Sequence, residues 1–465
     1  MKEYIFPQAV VCSHLAEDPQ NLLKKKPLQI GLSEKDITKI ANGGYVILDY
    51  GKEMRGGIRI LNFTSNQGSV RIRFGESLTE CCAEIGGEKN ATNDHALRDM
   101  QAELPNYSDM PFGETGFRFV RLDVTGNISL KSVIAVNHIL NKAPMYEYNG
   151  TDKRIKDIFQ AAKRTVDLCA ADGYVWDGIK RDKLVWVGDM HPEMLALTAL
   201  YGKVPALERS LTFIKDQTPL PGWMNRWYPA YSMWWMIIVA DYYAINKNTG
   251  YTKKQLSYIQ GLLKQMDECI DENGEMHYPD YFVDWPTRGQ VDEKAGVRAI
   301  NVMALKKTIE LFQEFGLDTS LANDLLQRLL KVEIKVEKSK QVLGLKYFAV
   351  GLTEEDKQKL IAGGARGMST FMSYYILKAV ASFDKKKAIS MMKEYYGAML
   401  DKGATTFFED FDLDWAANSC RLDEFPKDGQ RDIHGDFGAF CYQGFRHSLC
   451  HGWSAGVIQF IKEEC

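Results

Sequence analysis

The sequence predicts an N-terminal antiparallel β-sandwich followed by an (α/α)6 helical toroid, and three observations carry that expectation. Before residue 145 the apolar residues recur at period two; after residue 150 they recur at the helical period. The later half holds about ten helical patterns joined by long, aromatic, glycine-rich loops, too many for a four-helix bundle. The chain is also 465 residues long, beyond the usual size of one hydrophobic core. The expected boundaries are a sandwich over 1–145 and a helical catalytic domain over 146–465.

The strands come first. Gly44-Tyr-Val-Ile-Leu-Asp-Tyr, Gly57-Ile-Arg-Ile-Leu-Asn-Phe, Ser69-Val-Arg-Ile-Arg-Phe, Phe117-Arg-Phe-Val-Arg-Leu-Asp-Val and Val133-Ile-Ala-Val-Asn-His-Ile-Leu alternate and are separated by turn residues. The polar stretch Glu84 to Asp109 reads as a long loop leaving the sandwich toward a neighbouring site. From Asp152 the residues Ile155, Ile158, Phe159, Ala162 and Val166 form a helical stripe. Further helices are expected near 190–202, 206–217, 230–247, 252–271, 292–315, 320–331, 368–382, 385–400 and 450–462. The segment 332–350 turns β-like and predicts a small hairpin.

Composition excludes several function classes. A formal net charge of −3 makes no electrostatic case for nucleic acid or an anionic membrane. No apolar run approaches the roughly 20 residues of a membrane span, and the N-terminus lacks a signal-peptide pattern, which predicts a cytoplasmic protein. The nine cysteines are scattered without a C-x-x-C spacing and read as small buried hydrophobes in a reducing compartment. Without a G-x-S-x-G elbow, a P-loop or a G-x-G-x-x-G after a strand, lipase-like, ATP-dependent and dinucleotide enzymes drop out, and no cofactor is expected.

Four segments carry chemistry. The densest is Trp176-Asp177-Gly-Ile-Lys-Arg181-Asp182-Lys-Leu-Val-Trp186-Val-Gly188-Asp189, with carboxylates for acid–base work and indoles suited to sugar faces. Composition leaves open a plainer reading, in which these aspartates cap helices and Asp189 is an N-cap. His191, in the next helical turn, reads as a structural hydrogen-bonder. The second is Gly403-Ala-Thr-Thr-Phe-Phe-Glu409-Asp410-Phe-Asp412-Leu-Asp414-Trp415, whose acids must face water or a cleft; its spacing lacks the logic of a calcium loop. The third is Phe445-Arg446-His447-Ser448-Leu-Cys450-His451-Gly452-Trp453-Ser454. Its two histidines are four apart, but Gly452 and the absence of an adjacent Glu argue against zinc, and no metal is expected. The fourth is aromatic: Trp223, Trp227 and Trp285 stand in loops beside Gly, Arg, Asp and Pro, where sugar platform and packing are equally compatible readings.

The first of these segments resembles the hallmark of glycoside hydrolase family 78, the α-L-rhamnosidases: an Asp, then Arg, an acid and a basic residue, then Trp-x-Gly-Asp. Gly403 to Glu409 resembles the second acidic motif of that family, and Ser448-Leu-Cys-His451-Gly-Trp453-Ser its C-terminal motif. The Gly113-Glu-Thr-Gly-Phe-Arg-Phe-Val-Arg strand and the order of sheet before helices agree. The resemblance implies an inverting exo-glycosidase that removes terminal α-L-rhamnose or a related sugar, with Asp182 as general acid and Glu409 as general base. It also implies that Asp177, Arg181, Asp189 and His451 hold the sugar and that Trp186 forms an aromatic wall. Family members commonly carry Glu where this chain has the shorter Asp182, so Asp189 and Glu193 are alternative carriers of the acid role. The chain also lacks recognisable carbohydrate-binding modules and room for a C-terminal β-domain. A non-catalytic sugar-binding relative and another (α/α)6 hydrolase or lyase are the rival readings. The expected partner is a small glycoside or oligosaccharide; a homodimer is compatible with the sequence, which sets no oligomeric state.

Overall fold

The computed structural model describes residues 1–28, 30, 35–181, 183–439 and 442–465, with the side chains of residues 66 and 67 set aside. Asp182, the expected general acid, lies outside the described residues, as does Cys441. Strands occupy the chain up to His138, and helices dominate from Lys153 onward.

The strand-rich part is one antiparallel network of β1 (Lys2–Ile5), β2 (Ala9–Glu17), β3 (Thr38–Gly75), β4 (Asp99–Glu103) and β5 (Ser108–His138). The two long ribbons β3 and β5 bend back and pair repeatedly. Residue Ile47 meets Arg121, Arg73 meets that same Arg121 from the other side, and Ile58 meets both Ala135 and Phe112. Alternation puts Val46, Leu48, Ile58, Ile60, Val70, Ile72, Val120, Leu122 and Val133 into one apolar cluster, so the separate sets of pairings share a core. The stretch 84–109, expected to be loop throughout, contains β4, which pairs with Ser69–Arg73 and is held there by the Arg71–Asp99 ion pair. Its composition, Asp-Met-Gln-Ala-Glu, carries no strand signal.

The helices are α1 (Leu78–Cys82), inside the strand-rich part, then α2 (Lys153–Cys169), α3 (Met190–Tyr201), α4 (Pro205–Asp216), α5 (Pro229–Asn246), α6 (Thr249–Lys253) and α7 (Leu256–Cys269). They continue with α8 (Glu293–Glu314), α9 (Ser320–Leu329), α10 (Lys340–Val350), α11 (Glu354–Ile361), α12 (Ser373–Ala381), α13 (Lys385–Asp401) and α14 (Val457–Glu464). Neighbour relations close on themselves: α3 packs on α5, α5 on α8, α8 on α10, α10 on α12, α12 on α14, and α14 returns to α3. Most of these helices are buried nearly all round, and in α5 every residue from Pro229 to Ala240 is buried, whereas α14 buries only Val457, Ile458, Phe460 and Ile461. Helices α2, α4 and α9 instead bury one stripe.

That difference explains the clearest error of the sequence reading. The expected hairpin over 332–350 is helix α10, with Ser339 capping its first turn by accepting from the Val342 amide at 3.3 Å. Residues Lys340 to Lys346 are buried without interruption, so no helical stripe is written in them, and a continuous apolar run looks the same for a strand. Helix α11 was missed as well; it announces itself only through the reciprocal Thr353–Asp356 capping box. Among the described residues no helix is long and apolar enough to cross a membrane.

Candidate active site

The sugar-type motifs converge on a cavity of about 190 Å³ on the side of the ring where several helices begin. Asp189 immediately precedes α3, Tyr228 and Tyr231 open α5, Trp285 lies ahead of α8, and His451 and Trp453 lead into α14. Asp177, Arg181, Trp186, Asp189, Trp285, Glu409 and His451 all line it, so four segments far apart in sequence meet at one place.

Glu409 is held from every side. Arg181 Nη2 donates to its Oε1 at 2.5 Å, and the Ser448 amide donates to Oε2 at 3.0 Å. Its main chain is fixed too: its amide donates to the Ser448 carbonyl at 2.9 Å, and its carbonyl accepts from Trp453 Nε1 at 2.8 Å and from Thr370 Oγ1. The guanidinium is anchored in turn by Nε donating to the Arg446 carbonyl at 2.8 Å. A buried carboxylate needs such compensation to keep its charge, and a fixed one can point a lone pair at a defined place.

Asp177 sits on a short bridge. Its Oδ1 accepts from the Leu184 amide at 3.0 Å, and its carbonyl accepts from the Gly452 amide at 2.7 Å. Asp189 occupies an N-cap position, yet its side chain makes no capping bond. Tyr231 Oη donates to its Oδ1 at 3.2 Å instead, so the plain capping reading does not account for it. His451 Nε2 stands 3.8 Å from Glu409 Oε1 and 3.9 Å from Asp189 Oδ2. Burial, with Arg181 and His447 adding to it, pushes its pKa well below the ordinary imidazole value, so the ring is neutral. Asp177, Asp189 and His451 bring ligand-type atoms within 4.8 Å of one another; Arg181 beside them disfavours a cation there.

Lys180 does different work from its neighbours. Its ammonium donates to the carbonyls of Phe445 and His447 and lies 3.0 Å from Glu76 and 3.3 Å from Glu80. Glu76 in turn accepts from the Leu449 amide at 2.6 Å. Burial raises the Glu76 pKa to about 7 even with Lys180 opposing it. This polar knot joins the strand-rich part to the motif that carries His451. No sequence signal marked Glu76 or Glu80, since each becomes meaningful only through Lys180.

Behind Glu409 lies a second carboxyl layer. Burial raises the Asp410 pKa to about 7, with Asp284, Glu409 and Asp412 adding to the rise. Its amide donates to His447 Nε2 at 2.9 Å, which fixes that buried histidine as an acceptor.

Two expected platforms lie elsewhere. Trp223 packs edge-on against Tyr278, and Trp227 is 60% exposed; neither lines the cavity. The aromatic wall is built instead by Trp186, Tyr228, Tyr231, Phe282, Trp285 and Trp453; Tyr228, Tyr231 and Phe282 stand in the aromatic stretches around Trp227 and Trp285 without being singled out as platforms. His191 is structural as read: it bonds Tyr375 Oη at 2.5 Å and Asp241 at 3.1 Å and stacks on Trp234. The loop after α1 reaches the mouth as expected. His95 lines the cavity, and neighbouring Asp94 pairs with Arg446 at 2.5 Å.

Comparison with solved structures places this arrangement among known folds. A rhamnosidase from Klebsiella oxytoca with rhamnose bound superposes with a TM-score of 0.76 at 19% identity, covering 100% of this chain and 96% of that one. The GH78 family rhamnosidase of Bacillus sp. GL1 gives 0.71 at 18%, covering 95% of this chain and 48% of that chain. The α-L-rhamnosidase from Dictyoglumus thermophilum gives 0.67 at 14%, covering 99% and 51%. This chain therefore spans nearly all of the first and about half the length of the other two. At such identities the likeness establishes the fold. No protein-family model matches the chain, and no curated protein does.

Proposed function

We propose that this protein is an inverting exo-glycoside hydrolase releasing terminal α-L-rhamnose, or a related deoxysugar, from glycosides. The observation that carries the reading is the small aromatic-walled cavity in which the Glu409 carboxylate is clamped between Arg181 and the Ser448 amide. The cavity has room for about one sugar ring. The shared fold with rhamnosidases, one of them with rhamnose bound, supports the same assignment. Within it, the strand-rich part is a β-sandwich over 1–145, and the closed helix circuit is the inner ring of an (α/α)6 toroid over 146–465.

In this reading Glu409 is the general base that activates water on one face of the sugar, and Asp182 protonates the leaving oxygen on the other. Asp177, Asp189 and His451 hold ring hydroxyls. Arg181 holds the Glu409 carboxyl in place, and Trp186 and Trp285 wall the C–H face of the ring. Asp182 is carried by the motif alone. The test is hydrolysis of an aryl α-L-rhamnoside by the wild type, Asp182→Asn and Glu409→Gln, with the product anomer followed by NMR. Inverted product and loss of turnover in both variants are expected. Undiminished turnover in both would sink the residue assignment, and a retained anomer would sink the mechanism.

A further inference from the structure

Cys81 and Cys82 close the one-turn helix α1, and their sulfurs stand 3.8 Å apart as free thiols. Their surroundings differ. Cys81 is fully buried against Ile47, Leu78 and Phe119, and Cys82 is half-buried at the edge of the same cluster. Arg121 stands beside Cys82, held over the Tyr45 ring at 4.4 Å and paired with Asp123 at 2.7 Å. The adjoining Cys81 thiol first, and then Arg121 and Arg73, hold the Cys82 pKa below the ordinary thiol value against its burial. Burial, with Cys82 and Glu80 adding to it, pushes Cys81 well above that value. The solvent side thus carries the nucleophilic thiolate, with a protonated thiol directly behind it, which is the arrangement of an attacking and a resolving cysteine.

The backbone dictates what a bond between them would do. Consecutive Cα atoms are about 3.8 Å apart, inside the roughly 4.4 Å at which disulfides ordinarily begin, so the bond is strained and readily reduced. In a helix successive side chains also diverge by about 100°, so closing the bond breaks the last turn of α1. That turn is held by the Cys81 amide on the Ser77 carbonyl at 3.2 Å and the Ala83 amide on the Glu80 carbonyl at 3.0 Å. Glu80 sits within it. Its Oε1 lies 3.3 Å from Lys180, its Oε2 accepts from the Glu76 amide at 2.8 Å, and its carbonyl accepts from Arg98 at 3.1 Å.

We propose that Cys81–Cys82 is a reversible oxidation site for hydroperoxides, closing to a vicinal disulfide that unwinds α1 and loosens the Lys180 knot. The Cys82 thiolate attacks one oxygen of hydrogen peroxide, the O–O bond breaks, and the departing hydroxide takes a proton to become water. Cys82 is then a sulfenic acid. The Cys81 sulfur attacks the Cys82 sulfur, the S–O bond breaks, and the departing hydroxide takes the Cys81 thiol proton as a second water. The two thiols lose two electrons and the peroxide gains them; a dithiol reductant reverses the change. Neither cysteine lines the sugar cavity, and the proposal does not depend on the glycosidase reading.

The experiment treats reduced full-length protein with hydrogen peroxide, alkylates it and digests it with trypsin. The peptide Phe74–Lys89 holds these two cysteines and no other. In the wild type it is expected to lose two hydrogens and take no alkyl group, the urea midpoint is expected to fall, and dithiothreitol is expected to restore both. Before oxidation Cys82 should alkylate about tenfold faster than Cys81 or more. Cys81→Ser should stop at a sulfenic acid that dimedone traps, with no fall in midpoint, which separates this site from the exposed Cys12 and Cys465. Two free thiols in the wild-type peptide once Cys12 is oxidised overturn the proposal, as does a sulfinic acid at Cys82 without a disulfide. A vicinal disulfide with an unchanged midpoint overturns the link to the knot. These wild-type outcomes decide whether or not any variant folds.

Discussion

Arg181 and Glu409, 228 residues apart, meet through a 2.5 Å hydrogen bond from Nη2 to Oε1, with both side chains 4% exposed. That single contact ties the first acidic motif to the second and sets a cation directly against the carboxylate on which the proposed chemistry turns.

Glu409→Gln keeps the shape of the side chain and the hydrogen bond to Ser448 but cannot take a proton from water. Turnover of an aryl α-L-rhamnoside is expected to fall by about 10²- to 10⁴-fold, while sugar binding changes far less. Steady-state kinetics and calorimetric titration with the free sugar separate the two.

Lys180→Met is expected to act on stability. It strips the cation from Glu76 and Glu80, both buried, and removes the donor from two carbonyls. Breaking a buried pair by removing one partner costs about 3–5 kcal/mol, readable from the midpoint of urea unfolding.

Asp410 makes stability depend on pH in a definite direction. Its pKa rises from 3.8 to about 7 on folding, so the folded state binds the extra proton. The stability linked to that proton is full below the unfolded value and is lost as pH climbs through 7. Wild type should therefore lose more unfolding free energy than Asp410→Asn between pH 5 and pH 8, by up to about 3 kcal/mol, the two units between pH 5 and 7 at roughly 1.4 each. Glu76 titrates in the same range in both proteins, so the difference between the two isolates Asp410.

The tryptophans give a paired prediction. Trp285 lines the cavity and Trp227 is 60% exposed outside it. Trp285→Ala should raise KM about tenfold, the worth of one good aromatic contact. Trp227→Ala should leave kcat/KM unchanged.

How much of this the sequence revealed follows from what each feature depends on. The alternating strands around Val46, Ile58 and Val120 were legible because period two survives wherever one face is buried. The ring helices α5, α8 and α10 are buried on most sides, which blurs the stripe; the helical patterns near 230–247 and 292–315 match α5 and α8, and α10 reads as a hairpin. In the site, Asp177, Arg181, Asp189 and Glu409 stood out through the resemblance of their motifs, since the mix of acids and tryptophans alone also fitted helix caps. Tyr228, Tyr231 and Phe282 did not, since one aromatic among several neighbouring ones reads as packing until the opposite wall is known. Trp223 and Trp227 had the neighbours of a platform without the location.

The knot at Lys180 also says where this molecule will not come apart. Leu449, two residues before His451, hangs from a carboxylate of the strand-rich part, and the Phe445 amide donates to the Lys89 carbonyl. A scissor placed between Asn137 and Lys153 would separate two pieces of secondary structure but leave neither with a finished pocket. The helices alone would keep Glu409 and lose the ligatures that hold the adjoining loop in place. Transplanting this pocket onto another scaffold therefore means moving the sheet along with it.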